Sequence, residues 1–191
     1  MNLFRTSWLL ALVALMVILS ACGDSGQDAL DWEVQPFDAV NQEGESVSLD
    51  DLKGDVWLTS FIFTNCVTVC PPMTANMAQL QQQLEDEGLT VPIVSFSVDP
   101  ERDDPQALKA YGEEFNADFS SWQFLTGYSF EDIQHFSSES FKSLVQFEED
   151  SDQVMHTTSF FLVNDSGVVV QKYNGIAPPY EEILNDIKSL R

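Results

Sequence analysis

Residues 56–73 read VWLTSFIFTNCVTVCPPM, and they predict a strand, a loop and the start of a helix in direct succession. Val56 to Phe63 is an almost continuous apolar run, which is typical of a strand buried in a parallel sheet. Pro71 and Pro72 suit the first turn of a helix, where a missing N–H donor costs little. The loop between these two elements holds both cysteines of the stretch, so it is the first candidate for a reactive or metal-binding site.

The rest of the chain alternates strands with helices in the same way. The further predicted elements are a weak hairpin at 34–49, a strand at 91–98, a helix from Asp104 and Pro105, a strand at 122–125, a helix after a capping box of Ser129 and Asp132, a hairpin at 160–170 and a helix from Pro179. This order predicts an α/β fold: a thioredoxin-like sandwich with a central mixed sheet, flanking helices and an added N-terminal hairpin.

The first residues have the pattern of an export signal. Arg5 precedes an apolar run at 8–19, which is shorter than the ~20 residues of a membrane span. Leu-Ser-Ala directly before Cys22 resembles a bacterial lipobox. We therefore expect a lipoprotein signal peptide at 1–21, an acylated Cys22 opening a tether at 22–31, and one domain at 32–191. An ordinary cleaved signal and an uncleaved anchor are the alternatives.

The chain is strongly acidic, with 31 acidic and 8 basic residues and a formal net charge of −23 at pH 7. Such a charge argues against nucleic acid and anionic lipid surfaces as partners, because both would repel it. A basic protein surface or a cation would be attracted, although the charge also serves solubility. The acids at 148–150 and Asp152 predict a solvated loop, since they lack the ligand alternation of a calcium loop.

Cys66 and Cys70 can react as a pair. An exported protein permits a disulfide between them, but so small a loop disfavours a purely structural one. If the turn between them is helical, the spacing of four puts both sulfurs on one face, near a helix N-terminus that favours thiolates. Redox chemistry and soft-metal binding both stay open, and so does a pair of inert buried thiols.

His156 adds a third candidate ligand. It precedes a strand predicted at 157–163, which enters the sheet from the edge where the cysteine loop lies. Two thiolates and an imidazole suit copper, and zinc would also accept them. A histidine hydrogen-bonded at a strand end is the alternative. We predict that His135 is a surface residue and that three methionines pack in the core. These are Met73, Met77 and Met155.

Three segments, at 63–73, 97–105 and 155–163, resemble the signatures of the SCO/SenC family in the family's order, within a match over roughly 32–190. The resemblance implies a membrane-tethered, extracytoplasmic copper protein that helps to assemble the dinuclear copper centre of cytochrome c oxidase. It implies that Cys66, Cys70 and His156 bind copper. Asp99 is either a supporting residue outside the ligand set or a turn residue before Pro100.

The resemblance also implies partners, namely the copper-centre subunit of the oxidase and a thiol reductant. Val67 stands where many relatives have proline, and Met155 where many have an acid, which leaves the ligands intact. Two enzymatic alternatives are a thiol–disulfide oxidoreductase, in which Cys66 attacks and Cys70 resolves, and a peroxidase that oxidises Cys66. A CxxxC spacing with a histidine facing it favours the copper metallochaperone, which is not an enzyme.

Overall fold

The computed structural model of the chain describes residues 30–149 and 151–191. The strands are β1 (Trp32–Glu33), β2 (Asp38–Val40), β3 (Ser46–Ser48), β4 (Trp57–Ile62), β5 (Ile93–Ser97), β6 (Trp122–Leu125), β7 (Gln146–Phe147), β8 (Val154–Met155), β9 (Ser159–Val163) and β10 (Val168–Asn174). The α-helices are α1 (Cys70–Asp86), α2 (Pro105–Glu114), α3 (Phe130–Phe141) and α4 (Tyr180–Leu190). A 3₁₀ turn at Leu49–Asp51 follows β3.

The central sheet is mixed and has six strands in the order β1-β10-β9-β4-β5-β6. The strands β4, β5 and β6 run parallel, whereas β9 is antiparallel to β4 and β10 to β9. Two small sheets, β2–β3 and β7–β8, lie outside it. This arrangement confirms the predicted α/β class with a mixed sheet and flanking helices, and the pair β2–β3 is the predicted N-terminal hairpin.

Aromatic side chains fill the space between the sheet and the helices. Phe61, in the middle of β4, is fully buried and meets Phe141 of α3 edge-on, with ring centroids 5.3 Å apart. Phe96 of β5 lies 4.9 Å from Phe136, and Phe161 of β9 lies 5.0 Å from Phe141. Each side chain of this size removes a large apolar area from water, so the core fixes α3 against the three central strands.

Local sequence signals set the ends of the helices. Asp104 caps α2 by accepting the backbone N–H of Ala107 at 2.8 Å. The predicted capping box of Ser129 and Asp132 opens α3. Gly88 follows α1 with φ of 71°, a left-handed conformation that only glycine adopts without strain. The helix starts predicted at Asp104 and at Ser129 are thereby confirmed.

Several boundaries and elements differ from the sequence predictions. The strand predicted at 157–163 begins only at Ser159, because residues 156–158 form a separate turn that carries the histidine. The two-residue strands β1, β7 and β8 were not predicted, since so short a segment has no measurable alternation. Leu30, at the end of the predicted tether, already donates its N–H to Val170.

The predictions for residues 1–29 fall outside the described residues. They include the signal peptide at 1–21 and the acylation of Cys22. Within the part of the chain that the structure covers, no helix has both the length and the apolar character needed to cross a membrane.

Candidate metal centre

The sheet register brings the cysteine loop and the histidine turn to one edge. In the antiparallel pair of β4 and β9, Trp57 lies opposite Val163 and Thr59 opposite Phe161. The end of β4 therefore lies beside the beginning of β9. The loop 63–69 leaves the sheet at this edge and the turn 156–158 enters it there, so residues 86 positions apart become neighbours.

The two cysteines occupy different local structures. Cys70 is the first residue of α1, whereas Cys66 lies before the helix, in the loop. The backbone N–H of Cys70 donates to the sulfur of Cys66 at 3.3 Å, so the sulfur acts as a cap on the helix N-terminus. The sulfurs therefore approach through a cap rather than along one helical face. Cys70 is fully buried and Cys66 is 6% exposed, so both are more enclosed than a freely reactive thiol.

His156 presents one particular nitrogen to the cysteines. Its Nδ1 lies 2.8 Å from the carbonyl oxygen of Thr157, which can only accept, so Nδ1 carries the hydrogen. The lone pair of Nε2 is then free and points at the sulfur of Cys70, 3.2 Å away. The ring of Phe63 packs edge-on against the imidazole with centroids 5.7 Å apart. The hydrogen bond and the ring contact together fix the orientation of His156.

These three side chains form a compact donor set. The sulfurs of Cys66 and Cys70 and a nitrogen of His156 all lie within 4.8 Å of one another. The Cys70 thiol has one proton but faces two acceptors, the Cys66 sulfur and the histidine nitrogen. A soft cation that replaced this proton would be met by three lone pairs at once. The donor types fit copper, and the set would also accept zinc.

The charge on the pair of thiols is unevenly divided. A hydrogen bond from the Cys70 thiol, followed by the contact with His156 and the backbone N–H groups of Thr68 and Cys70, lowers the pKa of Cys66 to about 3 against the opposing effect of burial. The same hydrogen bond and burial raise the pKa of Cys70 well above its usual value of 9.0. Cys66 is therefore the thiolate of the free protein and Cys70 keeps the proton.

Asp103 supports the cysteine loop from inside the protein, and sequence reasoning missed it. The residue is fully buried. Its carboxylate accepts the backbone N–H of Thr64 at 3.2 Å and the Thr64 hydroxyl at 2.5 Å. The Thr64 hydroxyl reaches Oδ1, whereas the Ser97 hydroxyl donates at 2.5 Å to Oδ2, the oxygen that also accepts the Thr64 N–H. The signal that was available is the position of this acid just after β5, at the edge where the site lies.

Asp99 belongs to a second polar network at the same edge. It is 1% exposed, and its carboxylate accepts from Arg102 Nη1 at 2.9 Å. Arg102 Nη1 also donates to the carbonyl oxygen of Asp152, in the loop between β7 and β8. The Asp152 carboxylate accepts in turn from the amide of Asn65, 2.9 Å away. Asp99 thus reaches the site through Arg102, and the loop that was predicted to be merely solvated ties the histidine hairpin to the cysteine loop.

Two apolar side chains are exposed beside the ligands. Val67, next to Cys66, is 81% exposed, and Met155, next to His156, is 49% exposed. The prediction that Met155 packs in the core is wrong, because β8 pairs only with β7 and turns this side chain outward. Met73 and Met77 are fully buried, as predicted, and His135 is exposed, as predicted.

A family model described as SCO1/SenC matches residues 26–191 of the chain. This chain belongs to the SCO1/SenC family. The "SCO1 protein homolog" of Bacillus subtilis is 49% identical to it over 182 residues, which cover 93% of this chain and 94% of the relative. The range that the family model matches spans Cys66, Cys70 and His156, and the resemblance to the SCO/SenC family is confirmed.

Solved SCO1/SenC structures share the fold. A SCO1/SenC family lipoprotein from Bacillus anthracis is 51% identical, with a TM-score of 0.83 over 86% of this chain and 98% of that one. BsSco, described as a member of the Sco family of cytochrome c oxidase assembly proteins with a disulfide switch, is 50% identical, with a TM-score of 0.80 over 86% and 96%. ScoI of Bradyrhizobium japonicum, solved with copper bound, is 26% identical, with a TM-score of 0.68 over 85% and 100%.

Proposed function

We propose that this SCO1/SenC protein binds copper through Cys66, Cys70 and His156 and delivers it to the copper-centre subunit of cytochrome c oxidase. The observation that carries the proposal is the convergence of two sulfurs and one imidazole nitrogen within 4.8 Å. Thiolates and imidazole suit copper in both of its common oxidation states. The copper-bound relative and the relative described as an oxidase assembly protein support the same assignment.

The chain's own residues account for loading and release. Both thiols must be reduced before loading, and a thiol reductant would keep them so. Cys66 supplies a thiolate, and Cys70 gives up its proton as copper takes the proton's place among the acceptors. The set lies at the sheet edge, beside the exposed side chains of Val67 and Met155. Thiolates of a partner can therefore replace the three ligands one at a time, with no unfolding of the core.

The proposal includes a membrane tether on the extracytoplasmic side. We assign 1–21 as a lipoprotein signal peptide, 22–31 as a tether with an acylated Cys22, and 32–191 as the copper-binding domain. The relative from Bacillus anthracis that is described as a lipoprotein supports this reading. A diacylated N-terminal cysteine would hold the domain at the membrane, where its partner lies. Mass spectrometry of the mature N-terminus tests the assignment directly.

An anaerobic copper titration tests the metal site. The reduced protein should bind one copper tightly and develop a thiolate-to-copper absorption band. His156→Ala should weaken binding and change that band, because it removes one of three ligands. His135→Ala is the matched control, since His135 is exposed and its loss should change nothing. Binding that does not differ between the two variants would refute the three-ligand site.

Thiol–disulfide exchange is the second candidate function. The uneven pair, with a Cys66 thiolate and a Cys70 that keeps its proton, is what an attacking thiol and a resolving thiol require. The relative described as having a disulfide switch points the same way. The reduction potential of the Cys66–Cys70 pair separates the roles. A strongly reducing pair with no tight copper binding would favour the oxidoreductase.

A further inference from the structure

Asp103 is a fully buried carboxylate that forms no ion pair within residues 30–149 and 151–191. In the described residues, the four ion pairs are those of Lys53, Arg102, Lys109 and Lys188, and none of them includes Asp103. The neighbouring Arg102 turns to Asp99 instead. A carboxylate held in the interior by neutral donors alone costs free energy, so its hydrogen bonds must all be made.

Those hydrogen bonds join two segments that are distant in sequence. Two of them come from Thr64, two residues before Cys66, and one comes from Ser97 at the end of β5. The backbone N–H of Asp103 is itself held by the Asp99 carbonyl at 2.9 Å. The backbone of Asp103 is thus held in the turn after β5, and the element that its carboxylate contacts is the start of the cysteine loop.

The cysteine loop has few other restraints of this kind. Residues 63–69 form no helix or strand, and two hydrogen bonds join Asn65 to the histidine hairpin: its side-chain amide donates to Asp152, and its backbone carbonyl accepts from Gln153 Nε2 at 3.2 Å. The N–H of Cys66 donates to the Phe63 carbonyl at 3.3 Å, which closes a turn around Thr64. A contact that fixes Thr64 therefore fixes the turn that presents the Cys66 sulfur.

We propose that Asp103 is a positioning residue of the metal centre: by holding Thr64, it keeps Cys66 opposite Cys70 and His156 before copper binds. The inference rests on the proposed copper function. It assigns to Asp103 no contact with the metal. Its effect is preorganisation, because a loop that is already in place loses less freedom when the ligands close on the ion.

The test compares variants of the full-length protein, purified in detergent and loaded with Cu(I) against a competing chelator. Asp103→Ala should weaken Cu(I) binding by about 10- to 100-fold, the usual range for residues that orient metal ligands. Asp103→Asn should recover most of the affinity, because its amide oxygen still accepts from Thr64. Amide hydrogen exchange at residues 64–67 of the copper-free protein should rise most in Asp103→Ala and only slightly in Asp103→Asn.

The control is Gln81→Ala. Gln81 is a buried polar side chain, 5% exposed, that lies about three turns along α1 from the cysteines and donates to the Asp118 carbonyl and the Ser121 hydroxyl. Its loss should lower the melting temperature without changing copper affinity. A folded Asp103→Ala protein with wild-type affinity and wild-type exchange would overturn the inference.

Two further outcomes also decide between the alternatives. If Asp103→Ala does not fold, Thr64→Val decides, because it keeps the side-chain shape and removes the hydroxyl bond. Wild-type affinity in that variant overturns the inference, and weakened affinity supports it. If the wild-type protein binds no Cu(I), the proposed function fails, and the exchange data alone decide whether Asp103 positions the loop.

Discussion

Replacing Phe63 with leucine should weaken copper binding by more than the loss of core packing explains. Phe63 is 1% exposed, lies directly before the cysteine loop and packs edge-on against the imidazole of His156. Leucine fills most of the volume but has no ring edge to hold the imidazole. The orientation of His156 would then depend on its hydrogen bonds with the Thr157 carbonyl and the Cys70 thiol.

The structure sets the size of the effect. An aromatic edge contact contributes about 0.5–1.5 kcal/mol beyond the area that it buries. If that restraint is lost from His156, the imidazole must be ordered when copper binds, and the dissociation constant should rise about 2- to 12-fold. The smaller side chain should also lower the free energy of unfolding by about 1–2 kcal/mol. For a domain of this size, the melting temperature would fall by about 2–8 °C.

Phe124→Leu provides the matched control. Phe124 is fully buried and stacks on Trp122 at 4.9 Å, in the strand β6 at the far side of the sheet. Both variants should lose similar stability in thermal unfolding, but only Phe63→Leu should weaken copper binding in a competition titration. Equal copper affinities in the two variants would refute the idea that Phe63 orients the histidine.

Three other predictions follow from the site. Because the pKa of Cys66 lies at about 3, its alkylation rate in the reduced protein should stay constant between pH 5 and 8. Alkylation of an ordinary thiol slows about tenfold for each unit by which the pH falls in that range, and the same dependence for Cys66 would contradict its being a thiolate. The stability that Cys66 contributes is complete above its ordinary pKa of 9.0 and declines as the pH falls toward 3, so Cys66→Ser should flatten the pH dependence of unfolding in that window. Asp152→Ala removes the hydrogen bond from the Asn65 amide and should raise amide exchange at residues 151–155, whereas Glu148→Ala, which removes another exposed acid of the same loop, should not; equal exchange in both would show that this hydrogen bond does not restrain the hairpin.

Local sequence signals were sufficient for the main elements of the fold. The apolar run before the cysteines became β4, and the caps at Asp104 and Ser129 opened α2 and α3 where predicted. These features depend on neighbours within about four residues, so the sequence contains the whole interaction. The short strands β7 and β8 form instead because they pair with each other. Their own residues carry no pattern that predicts a strand.

The sequence by itself determined which residue types were available for chemistry: two cysteines four apart at the start of a helix, and a histidine before a strand of the same sheet. The tertiary structure alone decided how they meet. The antiparallel register of β4 and β9 brings Nε2 of His156 to 3.2 Å from Cys70, and the turn after β5 buries Asp103 against Thr64. Pairings between distant segments decide these contacts and the exposure of Met155, because a side chain's partners depend on which strands adjoin, and no local pattern encodes that.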